Sequence, residues 1–423
     1  MFSARVGRNS LLALVAVLAA AWLAAAAPAP DQDKDLRKQA LKLNDVTGDD
    51  PIKGEIQALV ADAAGTRKLL KVAVVMTKEK TQPFNYNALY ILGNSAAKVK
   101  EPEAAETFYR LAAAQALELK SGTKMAQSYA GLLQVLYQNK KYDEAEKVCK
   151  ELLDLNMDPD QPPDDALLRL KVYTLERLVE VYAKEKKFKE ANNVVDGLLK
   201  KSPENWLLLE LKAFVQREQG QYDDAAKTYE DVLKRINDDK ELKDEDRKEL
   251  AGEIRYYLSN VYLELNKLDK VSEELEALIA AEPENPTYYN DLGYIWADHD
   301  MNLDKAEKYI RKALDLDRKQ RKEAKIAPDQ DKDNGAYLDS LGWVLYKEKK
   351  YKEAKEAMLE AVKDKDAQHI EIFDHLGDVH MALGEKGDAV AAWKKGVDVA
   401  GDTKKEQERK TAVEKKLKEA DGK

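Results

Sequence analysis

Tyr288-Tyr289-Asn290-Asp291-Leu292-Gly293-Tyr294-Ile295-Trp296 decides how the rest of the chain is read, because its pattern returns twice. It reappears as Tyr337-Leu338-Asp339-Ser340-Leu341-Gly342-Trp343-Val344-Leu345, and again as Ile372-Phe373-Asp374-His375-Leu376-Gly377-Asp378-Val379-His380. A polar turn follows each copy, then a second amphipathic stretch opened by a small residue, Ala306, Ala354 or Ala389. Four residues on stands a large apolar side chain, Ile310, Met358 or Trp393, and three beyond it another small one, Ala313, Ala361 or Gly396. Small residues let two helices approach closely, and bulky ones fill the space beside the crossing. Units of this kind are too small to bury an apolar face alone and satisfy it by stacking.

The same frame lies over most of the chain. Upstream copies carry Leu92, Gly93, Ala105 and Tyr109; Tyr129, Leu132, Tyr142, Ala145 and Cys149; Leu178, Tyr182, Phe188, Ala191 and Val195; Leu209, Gly220, Tyr222, Ala225 and Tyr229; and Leu258, Tyr262, Val271 and Leu275. The anchors Ala191 and Ala225 lie 34 residues apart, and Val271–Ala306 and Ala354–Ala389 are each 35 apart. An aromatic, Leu-Gly, an aromatic, then Ala-x-x-x-large with a closing proline such as Pro203 or Pro283 resembles the tetratricopeptide repeat family. The resemblance covers roughly Ile52 to Gly401. It implies an all-α, right-handed superhelical solenoid of about eight helix-turn-helix repeats, with a degenerate one between Ile52 and Lys80. The longest steps hold extra residues, 156–165, 237–248 and 318–335, which read as loops because they are rich in Asp, Lys or Pro.

Composition agrees with helices. Of 423 residues, 44% are hydrophobic and 35% charged, with only 12 prolines and 19 glycines. The net charge of −9 opposes binding to a phosphate backbone, and no basic stripe reverses it locally, so nucleic acid is not an expected partner.

The N-terminus has its own logic. Arg5 and Arg8 precede an apolar run from Leu11 to Ala27, with Ala24 and Ala26 placed as a cleavage motif and Pro28 close behind. Residues 1–27 therefore read as a signal peptide or an N-terminal membrane anchor. The expectation is a bacterial exported protein, periplasmic or extracellular, which residues 11–27 hold at the inner membrane if they stay uncut. Residues 28–50 read as a flexible acidic linker, 51–401 as the repeat array, and 402–423 as a polar C-terminal capping helix and tail that covers the open apolar edge of the last repeat.

The chain carries no phosphate-binding loop, HExxH, GxSxG or CxxC, and points to no enzyme, cofactor or metal site. His375 and His380 stand five apart, whereas ligands on one helix face stand three or four apart. His299 sits in an acidic turn. Asp329–Gly335 begins like a calcium loop but has Asn334 where glycine is needed and Ser340 where glutamate is needed. The lone Cys149 falls in an apolar helix pattern and reads as core.

The resemblance also implies a binding face. In this family the first-helix positions three before, one after and four after the Leu-Gly glycine face the concave side. Here they place Tyr256, Asn260, Asn290, Tyr294, Asp339, Trp343, Tyr346, Asp374 and Asp378 there. Aromatics beside short amides and acids offer apolar anchors with hydrogen-bonding groups alongside, which suits a peptide or helix of another protein, neutral or basic in charge. The same aromatics would equally serve to pack one repeat on the next. The resulting expectation is a protein-binding scaffold. The alternatives are a solenoid that binds a glycan, lipid or calcium, and a membrane-anchored structural spacer.

Overall fold

The computed structural model describes residues 30–79, 83–155, 165–324, 331–364, 368–420 and 422. The expected signal or anchor, residues 1–27, lies outside them. The chain is an all-α helical repeat solenoid, with no strand among the described residues. Three helices open it: α1 (Pro30–Lys42), α2 (Asp49–Ala61) and α3 (Ala63–Met76). Three pairs follow in the first unit, α4 (Tyr86–Lys98) with α5 (Pro102–Glu118), α6 (Gly122–Gln138) with α7 (Tyr142–Leu153), and α8 (Asp165–Lys184) with α9 (Phe188–Leu199), and α10 (Trp206–Glu218) packs on α9. α11 (Tyr222–Asp238) opens the second unit, which continues with four pairs: α12 (Asp244–Glu264) with α13 (Leu268–Ala281), α14 (Pro286–Asp298) with α15 (Leu303–Glu323), α16 (Gly335–Lys347) with α17 (Tyr351–Ala361), and α18 (Ile370–Ala382) with α19 (Lys386–Asp398). α20 (Lys404–Ala420) ends the chain. Two compact units divide it, one running to Gly220 and the other starting at Gln221.

Helix boundaries follow local chemistry. First helices start behind short polar caps: Asn85, Ser121, Asn205, Asn285 and Asn334 each accept a backbone N–H of the first turn. Inside each pair, and along the chain between α10 and α11, the backbone turns through a left-handed residue: Lys100, Lys140, Lys186, Gly220, Asn266, Asp300, Lys349 or Gly384. Only two of those eight are glycine, so the other turns hold a side chain in a conformation that disfavours one.

The Leu-Gly glycines earn their place by contact. A Cβ on Gly293 would stand 2.7 Å from Ile310 Cγ1 and 3.0 Å from the Ala306 carbonyl, and one on Gly342 would stand 2.4 Å from Met358 Cγ. Ala306, Ile310, Ala354 and Met358 are fully buried, which is the close approach that the small and large residues were read as making.

Charge then links neighbouring pairs. The residue after one anchor alanine meets the residue four before the next: Glu106 with Lys141 at 2.7 Å, Glu146 with Lys187 at 2.6 Å, and Glu307 with Lys350 at 2.8 Å. The last step keeps the geometry with the signs exchanged, Lys355 to Glu385 at 2.7 Å. Burial pushes the Glu146 and Glu307 carboxyls up, but their lysine and arginine partners outweigh it and hold both at about 2.

Two expectations need correction. Residues 28–50 are not a flexible linker where they are described: α1 occupies most of the segment, and Ala40 and Leu43 are buried in the core of the first unit. Leu36, Ala40 and Leu43 form a helical apolar stripe that the surrounding acids and lysines concealed. The longer steps are only partly loops. Residues 237–248 are largely helix, since α11 runs to Asp238 and α12 starts at Asp244, and α15 extends to Glu323 through the start of 318–335. Residues 156–164 lie outside the described residues. Cys149 is buried among apolar side chains, and burial pushes its thiol up to about 12. Among the described residues, no helix is long and apolar enough to cross a membrane.

Candidate functional site

In the second unit, the first helices α12, α14, α16 and α18 turn most of their expected binding positions onto other helices. The Tyr256 hydroxyl donates to Asp291 Oδ2 at 2.9 Å, across one pair-to-pair boundary. Tyr294 reaches two pairs ahead, donating to Glu371 Oε1 at 2.6 Å, and burial together with that carboxylate pushes its phenol up, so it stays a donor. Trp343 donates from Nε1 to Asp298 Oδ1 at 3.1 Å. Its ring stacks on Tyr346 at 5.1 Å and on His375 at 4.0 Å between centroids. Lys347 closes this group, with Nζ 5.2 Å from the Trp343 centroid and 3.1 Å from Asp300.

His375 is the centre of the arrangement. It is fully enclosed, with Nδ1 3.2 Å from both Asp339 oxygens and Nε2 3.4 Å from Arg409 Nη1. Burial pulls the imidazole toward its neutral form, but Asp339 and Glu371 outweigh that and raise its proton affinity, with Arg409 acting the other way. Arg409 can donate only to an unprotonated Nε2, so this geometry suits the tautomer whose Nδ1–H is given to Asp339.

The acids of α18 are taken up by α20. Lys416 Nζ lies 2.6 Å from Asp374 Oδ1 and 2.7 Å from Asp378, and Arg409 bonds Glu371 at 2.5 Å and Asp374 at 3.4 Å. Burial raises Asp378 above the usual carboxylate range in spite of Lys416. At the other end of α20, Lys405 reaches Glu264 on α12 at 2.6 Å.

Of the nine residues named from the sequence, only Asn260 is exposed, its Nδ2 donating to the Tyr256 carbonyl. Asn290 is buried and its Oδ1 has no hydrogen-bond partner. Tyr294, Asp339, Trp343, Tyr346, Asp374 and Asp378 come together around His375 and α20, while Tyr256, Asn260 and Asn290 stand apart from that group at α12 and α14. These positions therefore spend most of their surface on neighbouring repeats and on α20. Glu371, Asp298, Arg409 and Lys416 belong to the site and were not singled out. Glu371 and Asp298 sit outside the three chosen frame positions. The two cations lie in a segment without the repeat, where nothing fixes their register against α18.

Metal chemistry finds little support. Among the described residues, His380, Glu385 and Asp388 bring ligand atoms within 4.8 Å of one another. His380 Nδ1 is 2.6 Å from Glu385, and Lys355 already sits 2.7 Å from both Glu385 oxygens, a cation where a metal would have to compete. In the loop that resembled a calcium site, Asp331 pairs with Arg321, and Asp333 pairs with both Arg318 and Arg321.

Models of the family described as tetratricopeptide repeat match residues 126–158, 182–244 and 256–321, stretches that fall on the helix pairs described above. Over these stretches the chain is a tetratricopeptide repeat protein. It is 32% identical over 113 residues to a TPR repeat-containing protein of Pseudomonas aeruginosa, a match covering 27% of this chain and 16% of that relative, so this tetratricopeptide chain spans only a small part of the relative's length. Similar solved structures include a tetratricopeptide repeat protein of Parabacteroides merdae, 13% identical with a TM-score of 0.38 over 78% of this chain and 98% of that one. They also include residues 41 to the end of MamA from Desulfovibrio magneticus, 19% identical with a TM-score of 0.36 over 46% and 96%. A human IFIT1 dimer with m7Gppp-AAAA is 14% identical, with a TM-score of 0.49 over 93% and 86%. Tetratricopeptide proteins are in general non-enzymatic scaffolds that bind other proteins.

Proposed function

We infer that this tetratricopeptide protein is an interaction scaffold of an exported compartment, which holds a segment of a partner protein along the face of its first helices. A scaffold role in the general sense follows from the family. The finer reading rests on one observation: the first helices of the second unit line up carboxylates and ring faces, and they already engage the cations of a helix, α20. A face that accepts Lys and Arg side chains suits a basic or neutral segment and repels an acidic one. Asn260 and the nearby Glu264 are exposed on α12 and give such a segment a place to start. The export reading is supported by the sequence of residues 1–27, and sequencing the mature N-terminus decides between a cleaved signal and a retained anchor.

A photo-crosslinker placed at Asn260, and for comparison at the exposed Lys308 on α15, tests the face in cells of the source organism. A protein captured at 260 and not at 308 is the expected result. Capture at 308 alone, or equal capture at both, places the binding surface elsewhere.

A further inference from the structure

We propose that the side of α18 and α19 that α20 covers is a docking site for a basic helix of a partner protein, with α20 as its resident and displaceable occupant; this rests on the scaffold reading and specifies the partner's chemistry. Glu371, Asp374 and Asp378 follow one another along one side of α18, at steps of three and four residues that keep them on a common face. α20 answers with Arg409 and Lys416, seven residues apart, and with Val413 and Ala420 on the same stripe. Val413 is fully buried against Ile370, Ala389 and Trp393. Recognition therefore requires four positions: a cation, a β-branched residue four further on, a cation three after that, and a small residue four beyond.

Three observations make α20 displaceable. It buries little: its buried residues are Val413 and Ala420, out of 17, whereas the 13-residue α18 buries nine. Its ion pairs are partly open to solvent, with the Arg409 and Lys416 side chains 30% and 31% exposed, so water and salt compete for them. Its start carries its own cap and, beyond that, is tied only by the well-exposed Lys405, whose side chain is 77% exposed, to Glu264. Thr403 Oγ1 donates to Glu406 Oε2 at 2.5 Å, the Glu406 N–H returns to Thr403 Oγ1 at 3.3 Å, and the Gly401 N–H donates to Glu406 Oε1 at 3.2 Å. This is a capping box, so the first turn of the helix does not depend on the site it occupies. A segment with few buried apolar contacts belongs to the part of a fold that opens first. A partner helix with the same four-position stripe would satisfy the same acids and the same apolar patch.

The test uses the full chain and three labelled peptides. The first is residues 402–423. The second is an unrelated helical sequence that keeps only the Arg, Val, Lys and Ala of the four positions, and the third is that helix with both cations changed to Glu. The variant Arg409→Glu/Lys416→Glu sets its own helix free. The first two peptides are expected to bind the variant at least about tenfold more tightly than wild type, and the third to bind neither. Addition of the second peptide in excess to wild type is expected to accelerate hydrogen exchange in residues 404–420. Binding of residues 402–423 without binding of the unrelated helix would mean that the surface knows only its own cap, and equal affinity for variant and wild type would put the peptide elsewhere; either result overturns the proposal. If circular dichroism shows the variant unfolded, the wild-type exchange experiment decides alone, and unchanged exchange in 404–420 overturns it. Loss of peptide binding with crosslinking at Asn260 intact would remove this inference and leave the scaffold reading standing.

Discussion

Two junctions of the second unit bury an apolar helix edge in opposite ways. Between α14 and α15 the backbones close on each other, with the space at Gly293 filled by Ile310 and the Ala306 carbonyl and no charge involved. Between α18 and α20 the apolar share is small, and Arg409 and Lys416 hold the helix on a row of acids. Removing the first junction exposes core; removing the second exposes one apolar patch and releases charges that water solvates well. The second unit can therefore be firm at its pair seams and yielding where α20 docks, because the term that holds each junction differs. The ion-pair ladder between neighbouring pairs belongs with the second kind, a set of partly exposed charges laid over a packed seam.

Substitution at the seam gives the largest expected effect. Gly293→Val puts branched carbons where a single Cβ already meets Ile310 and a backbone carbonyl that cannot swing aside, and should cost about 3 kcal/mol in urea denaturation. A midpoint equal to wild type would show that the helices do not cross as described. Lys416→Met keeps the aliphatic stem at the dock and removes the charge, so it should loosen α20 by about 1 kcal/mol. Hydrogen exchange would then rise in residues 404–420 and not in α14 or α15, and raising salt on wild type should act in the same direction; a uniform rise along the unit would erase the contrast between the junctions.

Acid tests the ladder. Glu307 is held at about 2 in the folded chain against an ordinary 4.5, so its contribution is present above about pH 4.5 and is lost as pH falls toward 2. Because the pair is partly exposed, the loss should be no more than about 1 kcal/mol. Glu307→Gln should remove that portion of the acid sensitivity, and an unchanged profile would mean that the Glu307–Lys350 pair contributes nothing. The smallest effect runs the other way. Lys349 turns through φ 63 with a side chain, so Lys349→Gly should stabilise by about 0.5 kcal/mol and raise the melting temperature slightly. A lower melting temperature would show that the lysine side chain contributes more than its backbone strain costs.

Much of the seam was legible in the chain. Leu-Gly, the anchor alanines and the large residues four further on act within a pair over a few dozen residues, so their spacing alone says which side chains meet, as Gly342 and Met358 do. The candidate face was legible only in part. The frame located Asp374 and Trp343, but whether they meet solvent, a partner or another repeat depends on helices far along the chain. Likewise α1 was hidden because its stripe of Leu36, Ala40 and Leu43 is sparse among charges and shows its purpose only against the helices it covers.

Short-range periodicity, through the fit of small against large on adjacent helices, was enough to specify paired helices and their stacking into a solenoid. Contacts such as Tyr294 with Glu371, Lys405 with Glu264 and Arg409 with the enclosed His375 were decided by the tertiary structure. They join residues from 34 to 141 positions apart, and no local pattern encodes how helices so far separated are brought side by side.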